Sequence, residues 1–321
     1  MSMFARKGKD VTIRRMTAED VEEVREAGQL AWSDLATQSV GRKFTYPKRS
    51  QKIIAAYLWK DPQGCLVAVE KGKIIGSAFC HVVGRVGWTG PLEVLPSYQD
   101  HGVGRRLLAG CEAHLLERGC SVIGLETLSN IPKNLHFYLT AGYRPEKTVV
   151  ILERILRRND VVTEGVSEIA PDAVGDISQY ISPLSQRINP YLDYSMDAEV
   201  ILRKELGKVY VLKEGESVQG CALLHTYHHG EESAYASIKT VLVDPSVPDH
   251  NQALDRLLAA CEAGTLEAGK EKVMTRFAVS DTSLYMAMLS RTYLLKGANV
   301  RMIKKGEYNE VGNCNITSWA G

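Results

Sequence analysis

The chain has 321 residues, 45% hydrophobic and 24% charged, with 39 Lys and Arg against 38 Asp and Glu. So even a balance gives no long-range attraction for nucleic acid or an acidic membrane surface, and no apolar run approaches the roughly 20 residues of a membrane span. The seven cysteines (65, 80, 111, 120, 221, 261 and 314) are odd in number and form no C-x-x-C pair, so they read as reduced core thiols rather than a disulfide framework or a zinc site. The first residues, MSMFARKGKD, hold no apolar secretory stretch, which makes the cytoplasm the expected compartment and gives the Asn315-Ile316-Thr317 glycosylation sequon little weight.

In chain order, VTIRRMTAEDVEEV (11–24) is a short strand leading into an amphipathic helix, with Thr17 placed to cap it and Asp20 three positions on. Residues 28–60 are rich in aromatic and basic side chains. Trp32, Tyr46, Tyr57 and Trp59 among them either line an acceptor cleft or simply pack helix faces. GCLVAVEKGKIIGSAF (64–79) is two apolar runs about a charged turn holding Gly72, a hairpin pattern. In LEVLPSYQDHGVGRRLL (92–108) a strand closes at Leu92–Val94 and Pro96 forbids its continuation. From Gly104 onward Leu108, Cys111 and Leu115 recur at helical spacing. The loop between them holds Gly102 and Gly104, both able to take φ > 0 and to bring backbone against a ligand. Its N–H groups, opening into a helix N-terminus, make an anion nest, and Arg105 and Arg106 add positive charge. VIGLETL (122–128) is a strand, YLTAGY (138–143) ends a helix, and TVVILERIL (148–156) is a further strand before the polar RRND.

The plan then recurs. YQDHGVGRRLLAGCEA (98–113) stands over PDHNQALDRLLAACEA (248–263), with Arg106 and Arg256 150 positions apart. VSEIAPDAVGDI (166–177), the aromatic and basic stretch 181–205, GKVYVLKEGESVQGCALL (207–224) with Gly215 in its turn, KVMTRFAV (272–279) and YLLKGA (293–298) follow the same order. Each half reads strand, helices, hairpin, strand, loop, helix, strand, helix, strand, which predicts mixed α/β sheets with helices on their faces. The expected domains are 1–158 and 159–321, divided near Arg158–Val161.

Only the first loop keeps its glycines. Aligned from the strand or from the helix, Gly102 and Gly104 fall on Asn251, Gln252, Ala253 or Leu254, and Gln99 falls on Pro248 or on Asp249, an acid that repels anions. Tyr293, four residues before Gly297, is matched to Tyr138, four residues before Gly142. One anion site is expected, in the first half, beside a degenerate second copy.

The dinucleotide spacing G-x-G-x-x-G fails because position 107 is Leu, and the P-loop lysine is missing. Gln99-Asp100-His101-Gly102-Val103-Gly104 after a Val-x-Pro strand end instead resembles the GNAT superfamily of N-acetyltransferases. So does Asn134-Leu-His-Phe137-Tyr138-Leu-Thr-Ala-Gly142-Tyr143, about 35 residues downstream, and two motifs in order are more specific than either alone. The resemblance spans roughly residues 11–152 and reaches 165–308 through the internal repeat. It implies two GNAT-like domains, each a mixed, mostly antiparallel sheet flanked by helices, with acetyl-CoA in a splayed gap between the Val94 strand and strand 122–128 of the first.

The resemblance assigns the cofactor diphosphate to Gln99, Asp100, His101, Gly102, Val103, Gly104, Arg105 and Arg106, and the pantetheine arm to the backbone of Leu92, Glu93 and Val94. Asn130, Asn134, Phe137 and Tyr138 are further cofactor contacts. The family pattern there has Asn three positions before Ala, whereas Asn130 is one residue out of place and Asn134 holds the alanine position. The implied reaction is direct attack of a free amine on the thioester, with N–H donors stabilising the developing oxyanion and Tyr138 as general acid. Glu93 and Glu126 are candidate bases, and a water relay is a third route. No metal is required. The acceptor is a small primary amine, not nucleic acid or membrane, and the protein acts as monomer or homodimer. The competing readings are an acyl-CoA-binding module without turnover, and an acyltransferase using a longer acyl-CoA or an oxygen nucleophile.

Overall fold

A computed structural model describes residues 10–157, 165–227, 233–280 and 282–319. The expected division near Arg158–Val161 lies outside the described residues. Those described fall into two compact units, one of 10–82 with 87–120 and the other of 83–86 with 121–319.

The first unit runs β1 (Thr12–Arg15), α1 (Val21–Val40), α2 (Gln51–Lys60), β2 (Cys65–Glu70), β3 (Lys73–Val83), β4 (Val86–Val94) and α3 (Val103–Glu117), with strand order β1-β2-β3-β4. Local signals set these elements. Asp20 Oδ2 accepts from Thr17 N at 2.8 Å and from Arg14 Nη1 at 2.7 Å, fixing the entry to α1. Ser50 caps α2 by accepting from Lys52 N. Lys71 and Gly72, at φ +52° and +78°, turn β2 into β3 in the two-positive-φ pattern that matches strand twist. Met16, Val24, Ile54, Val67 and Phe79 close a core between α1, α2 and the sheet. Val103, Leu107, Leu108, Cys111 and Leu115 bury one face of α3.

The second unit runs β5 (Val122–Leu128), α4 (Pro132–Thr140), β6 (Arg144–Ile155), β7 (Val166–Glu168), α5 (Ile177–Ile188), α6 (Ser195–Arg203), β8 (Gly207–Glu214), β9 (Ser217–His225) and β10 (Tyr235–Val243). It continues through α7 (His250–Glu267), β11 (Lys272–Ala278), α8 (Ser283–Ser290), β12 (Leu294–Lys305) and β13 (Ile316–Thr317). Its strand order is β5-β12-β6-β11-β10-β9-β8-β7, with β13 beside β10. Pairing is antiparallel except between β10 and β11. Leu254, Leu257, Leu258 and Cys261 of α7 pack on Leu212, Leu224, Ile238 and Phe277, each buried leucine contributing about 1.5–3 kcal/mol.

Both halves thus carry the expected succession of elements in a mixed, mostly antiparallel sheet with helices. The compact units nevertheless differ from the halves of the repeat. β12 lies between β5 and β6, with Arg301 opposite Glu126 and Asn299 opposite Val149, and β6 pairs β11 along its other edge. Residues 121–155 therefore share a sheet with the second half. The repeat follows chain order, whereas the packing follows strand pairing.

All seven cysteines are buried thiols, none of them in a disulfide. Among the described residues no helix is long and apolar enough to cross a membrane. Asn315 of the sequon is buried, its amide donating to Val311 O at 2.9 Å.

Candidate active site

In the first unit the strand end, the loop and the helix form one construction. After Val94 the chain makes a single 3-10 turn at Pro96–Tyr98, and Gln99 Nε2 donates to Val94 O at 3.1 Å, tying loop to strand. Asp100 has φ +64° and Gly102 φ +78°. The second left-handed residue of the loop is therefore Asp100 and not Gly104. The helix begins at Val103, so Gly104 already lies within its first turn and what it contributes is the absence of a side chain. Gly102 is the N-cap and offers no side-chain cap. A Cβ added there would meet nothing within 4 Å. His101, Arg105 and Arg106 are exposed around this turn, and buried Val103 anchors it. The partial positive charge of a helix N-terminus favours an anion beside it.

α7 starts differently. With Arg106 over Arg256, Gly102 stands over Gln252, yet α7 begins at His250 with Asp249 as N-cap. The Asp249 carboxylate accepts from Gln252 N at 2.9 Å. A side-chain anion of the chain sits on the first turn of α7.

Glu93, on β4, turns away from Val94. Val94 lies with Leu107 of α3 beside Gly76 on one face, while Glu93 faces α1 on the other. Its Oε1 accepts from Trp32 Nε1 at 2.6 Å and Arg49 Nη2 at 2.8 Å, and its Oε2 from Ser77 Oγ at 3.3 Å. A Cβ on Gly28 of α1 would stand 2.7 Å from Glu93 Oε2, so that glycine is what lets the helix approach. Burial opposes the Arg49 charge, but Glu93 beside it more than compensates and leaves the guanidinium above its usual value. Trp32 stacks on Tyr46 with centroids 5.5 Å apart. Along the same face Tyr57 meets His81 edge-on at 4.8 Å, and His81 stacks on Trp88 at 5.4 Å. Burial pushes the Tyr57 phenol up. Arg49 and Ser77 were not among the expected site residues. Nothing local separates Arg49 from Arg42, Lys43 and Lys48 in its basic stretch.

The remaining expected residues belong to the second unit. Tyr138, on α4, is half-buried, with Phe137 at 4.9 Å and Tyr143 at 5.9 Å between ring centroids. Asn130 is exposed before the helix and Asn134 is half-buried on it. The Glu126 side chain is 1% exposed. Its Oε1 accepts from Arg301 Nε at 3.1 Å, Arg301 Nη2 at 2.7 Å and Trp319 N at 3.3 Å. The Arg301 guanidinium lies 4.2 Å from the Trp319 ring centroid.

The pairing of Tyr293 with Tyr138 does not hold. Tyr143 N donates to Tyr138 O at 3.1 Å across a turn in which Gly142 has φ +86°, and Tyr293 N donates to Met288 O at 3.0 Å across a turn in which Thr292 has φ +64°. Tyr293 therefore corresponds to Tyr143, and Met288 to Tyr138. Gly297, which anchored the earlier count, lies inside β12 at a register shift. The Tyr293 hydroxyl donates to Glu262 at 3.0 Å. That fully buried carboxylate also accepts from Arg154 at 2.6 Å and Arg291 at 2.7 Å. Burial, with Glu262 adjacent, holds the Tyr293 phenol well above its ordinary value.

Residues 29–143 match the acetyltransferase (GNAT) family model. An acetyltransferase of Yersinia pestis (strain Pestoides F) is 27% identical over 96 residues, covering 30% of this chain and 68% of the relative. A Pyrococcus horikoshii structure described as an acetyltransferase superposes with TM-score 0.68 at 16% identity, covering 97% of this chain and 96% of its own. A tandem GNAT protein from the clavulanic acid biosynthesis pathway superposes with TM-score 0.57 at 16% identity, covering 94% and 99%. At such identities the two structures speak for the fold, and they do so over nearly the whole chain. Residues 29–143 thus carry the match to the GNAT acetyltransferase family, nearly the whole chain has a fold like that of a tandem GNAT protein, and the chain is an acyltransferase.

Proposed function

We propose that the protein transfers the acetyl group of acetyl-CoA directly to a small primary amine, using a single cofactor site in the first half. The observation that carries this reading is the contrast between two helix starts: the N-cap of α3 is Gly102, which has no side chain to give, while the N-cap of α7 is Asp249, whose carboxylate accepts from the first turn. The uncapped turn fits a diphosphate, because the space a Cβ would occupy at Gly102 is vacant.

Acetyl-CoA supplies the acetyl group as an activated thioester. In this reading loop 99–104 and the first turn of α3 hold its diphosphate, with Arg105 and Arg106 at the rim. Backbone N–H groups of Leu92–Val94 orient the arm and favour charge on the carbonyl oxygen. The Tyr138 hydroxyl gives its proton to the departing sulfur. Asn130, Asn134 and Phe137 flank the cofactor. Glu93 and Glu126 each already accept several hydrogen bonds, which favours a water relay for removing the amine proton.

Residues 159–321 act in this reading as a degenerate copy. Met288 in the place of Tyr138 and the carboxylate on α7 support it. Calorimetry with acetyl-CoA tests the proposal, with one site per chain expected and that site lost in Gly102→Glu. Two equal sites would overturn it. Release of CoA across an amine library then identifies the acceptor.

A further inference from the structure

β10 and β11 pair only over Tyr235–Ile238 against Lys272–Thr275, and beyond Ile238 the register of β10 with β9 shifts. Thr275 Oγ1 donates to Ile238 O at 3.2 Å where the parallel ladder ends. The rest of β10 would leave ladder groups facing a gap, and buried backbone polar groups must find partners.

Residues 314–319 enter that gap. β13 pairs antiparallel with β10, Ile316 opposite Val241 and Thr317 opposite Thr240. Ser318 N donates to Lys239 O at 3.1 Å, Val243 N donates to Asn315 Oδ1 at 3.2 Å, and Arg301 Nη2 donates to Thr317 O at 2.5 Å. Cys314, Asn315, Ile316, Thr317, Ser318 and Trp319 are all buried. The Lys239 carbonyl and the Val243 N–H of β10, with Arg301 of β12, thus serve an extended segment of chain. Trp319 then reaches β5, where its backbone N–H donates to Glu126 and its ring packs over Gly124.

We propose that the cleft between β10 and β11 is a binding site for an extended peptide, and that residues 314–319 are its resident ligand. This segment stands where, in the plan of the first half, an extended cofactor arm would lie between the corresponding strands. The second copy is then a clamp that holds the segment against Glu126 and braces β5. The proposal does not depend on the acceptor amine or on Tyr138.

Because Ser318 and Lys239 form a hydrogen-bonded pair, antiparallel alternation places Ile316 and Val241 in the next bonded pair. Ile316→Pro in the full chain removes that N–H and expels the segment. A synthetic peptide of residues 312–321 is titrated into both proteins, with acetyl-CoA titrated in parallel. The variant is expected to bind one peptide per chain, the unaltered protein none, and a peptide carrying the same proline is expected not to bind. A variant that retains acetyl-CoA binding but takes up no peptide overturns the proposal, as does equal uptake by the unaltered protein. Two acetyl-CoA molecules on the unaltered chain would instead count against the single-cofactor reading. Hydrogen exchange on the unaltered chain tests the site without any variant. The Val243 and Ser318 amides should exchange as slowly as Ile238, and exchange on the order of a thousandfold faster overturns the assignment.

Discussion

Met288 occupies in the second half the backbone position that Tyr138 occupies in the first, each carbonyl accepting from a buried tyrosine five residues on. The two tyrosines that look alike in sequence therefore stand at different positions, Tyr138 half-buried on α4 and Tyr293 buried beside Glu262. Tyr138→Phe is expected to lower kcat by about 10²–10⁴-fold, with a much smaller effect on the acetyl-CoA Kd because the ring is kept. Tyr293→Phe should leave kcat intact and cost about 1–3 kcal/mol of stability, because Glu262 loses a donor in a buried setting. Steady-state kinetics and denaturant unfolding of both variants check this.

The helix starts give a second contrast. Gly102→Glu places a carboxylate where the diphosphate is proposed to sit, at a backbone φ of +78° that disfavours any side chain. Loss of measurable acetyl-CoA binding by calorimetry is expected. Asp249→Ala should cost about 1 kcal/mol through loss of a helix cap and leave acetyl-CoA binding as it was.

Arg49 and Glu93 are both buried, so removing one strands the other. Arg49→Met alone, or Glu93→Gln alone, is expected to destabilise the protein by about 3–5 kcal/mol, with the double variant recovering much of the loss. A double-mutant cycle by urea unfolding measures the coupling. Additive losses would show that the pair is not energetically linked.

Acid stability has an identifiable contributor. Hydrogen bonds from Arg14, offset in part by burial and aided by the Thr17 N–H, hold the Asp20 carboxyl at about 2. A folded-state value below the unfolded one adds stability that is full above the ordinary 3.8 and is lost as pH falls toward 2. Asp20→Asn should therefore lower stability at neutral pH and flatten its decline over that interval, read from unfolding midpoints against pH.

The succession of elements was legible because apolar periodicity, caps and turn residues act over a few positions. Gly72, Thr17 and Gly102 each announce a local conformation that the chain adopts. Arg49 was not legible, since its partner is 44 residues away and its neighbours are equally basic. Nor was the place of β12, whose Arg301 meets Glu126 across 175 residues. The mispairing of Tyr293 has a local cause. Thr292 adopts a left-handed turn without a glycine, so the only visible marker was Gly297, which serves β12 instead.

The position of β12 between β5 and β6 sets an order of events during synthesis. When the ribosome has delivered β6, two long strands still lack the neighbour that joins them, and that neighbour emerges about 140 residues later. Until then both expose unpaired edges that invite association with other chains. A fragment ending near residue 158 would keep those edges permanently, so the family-matching segment relies on the second half for its own completion.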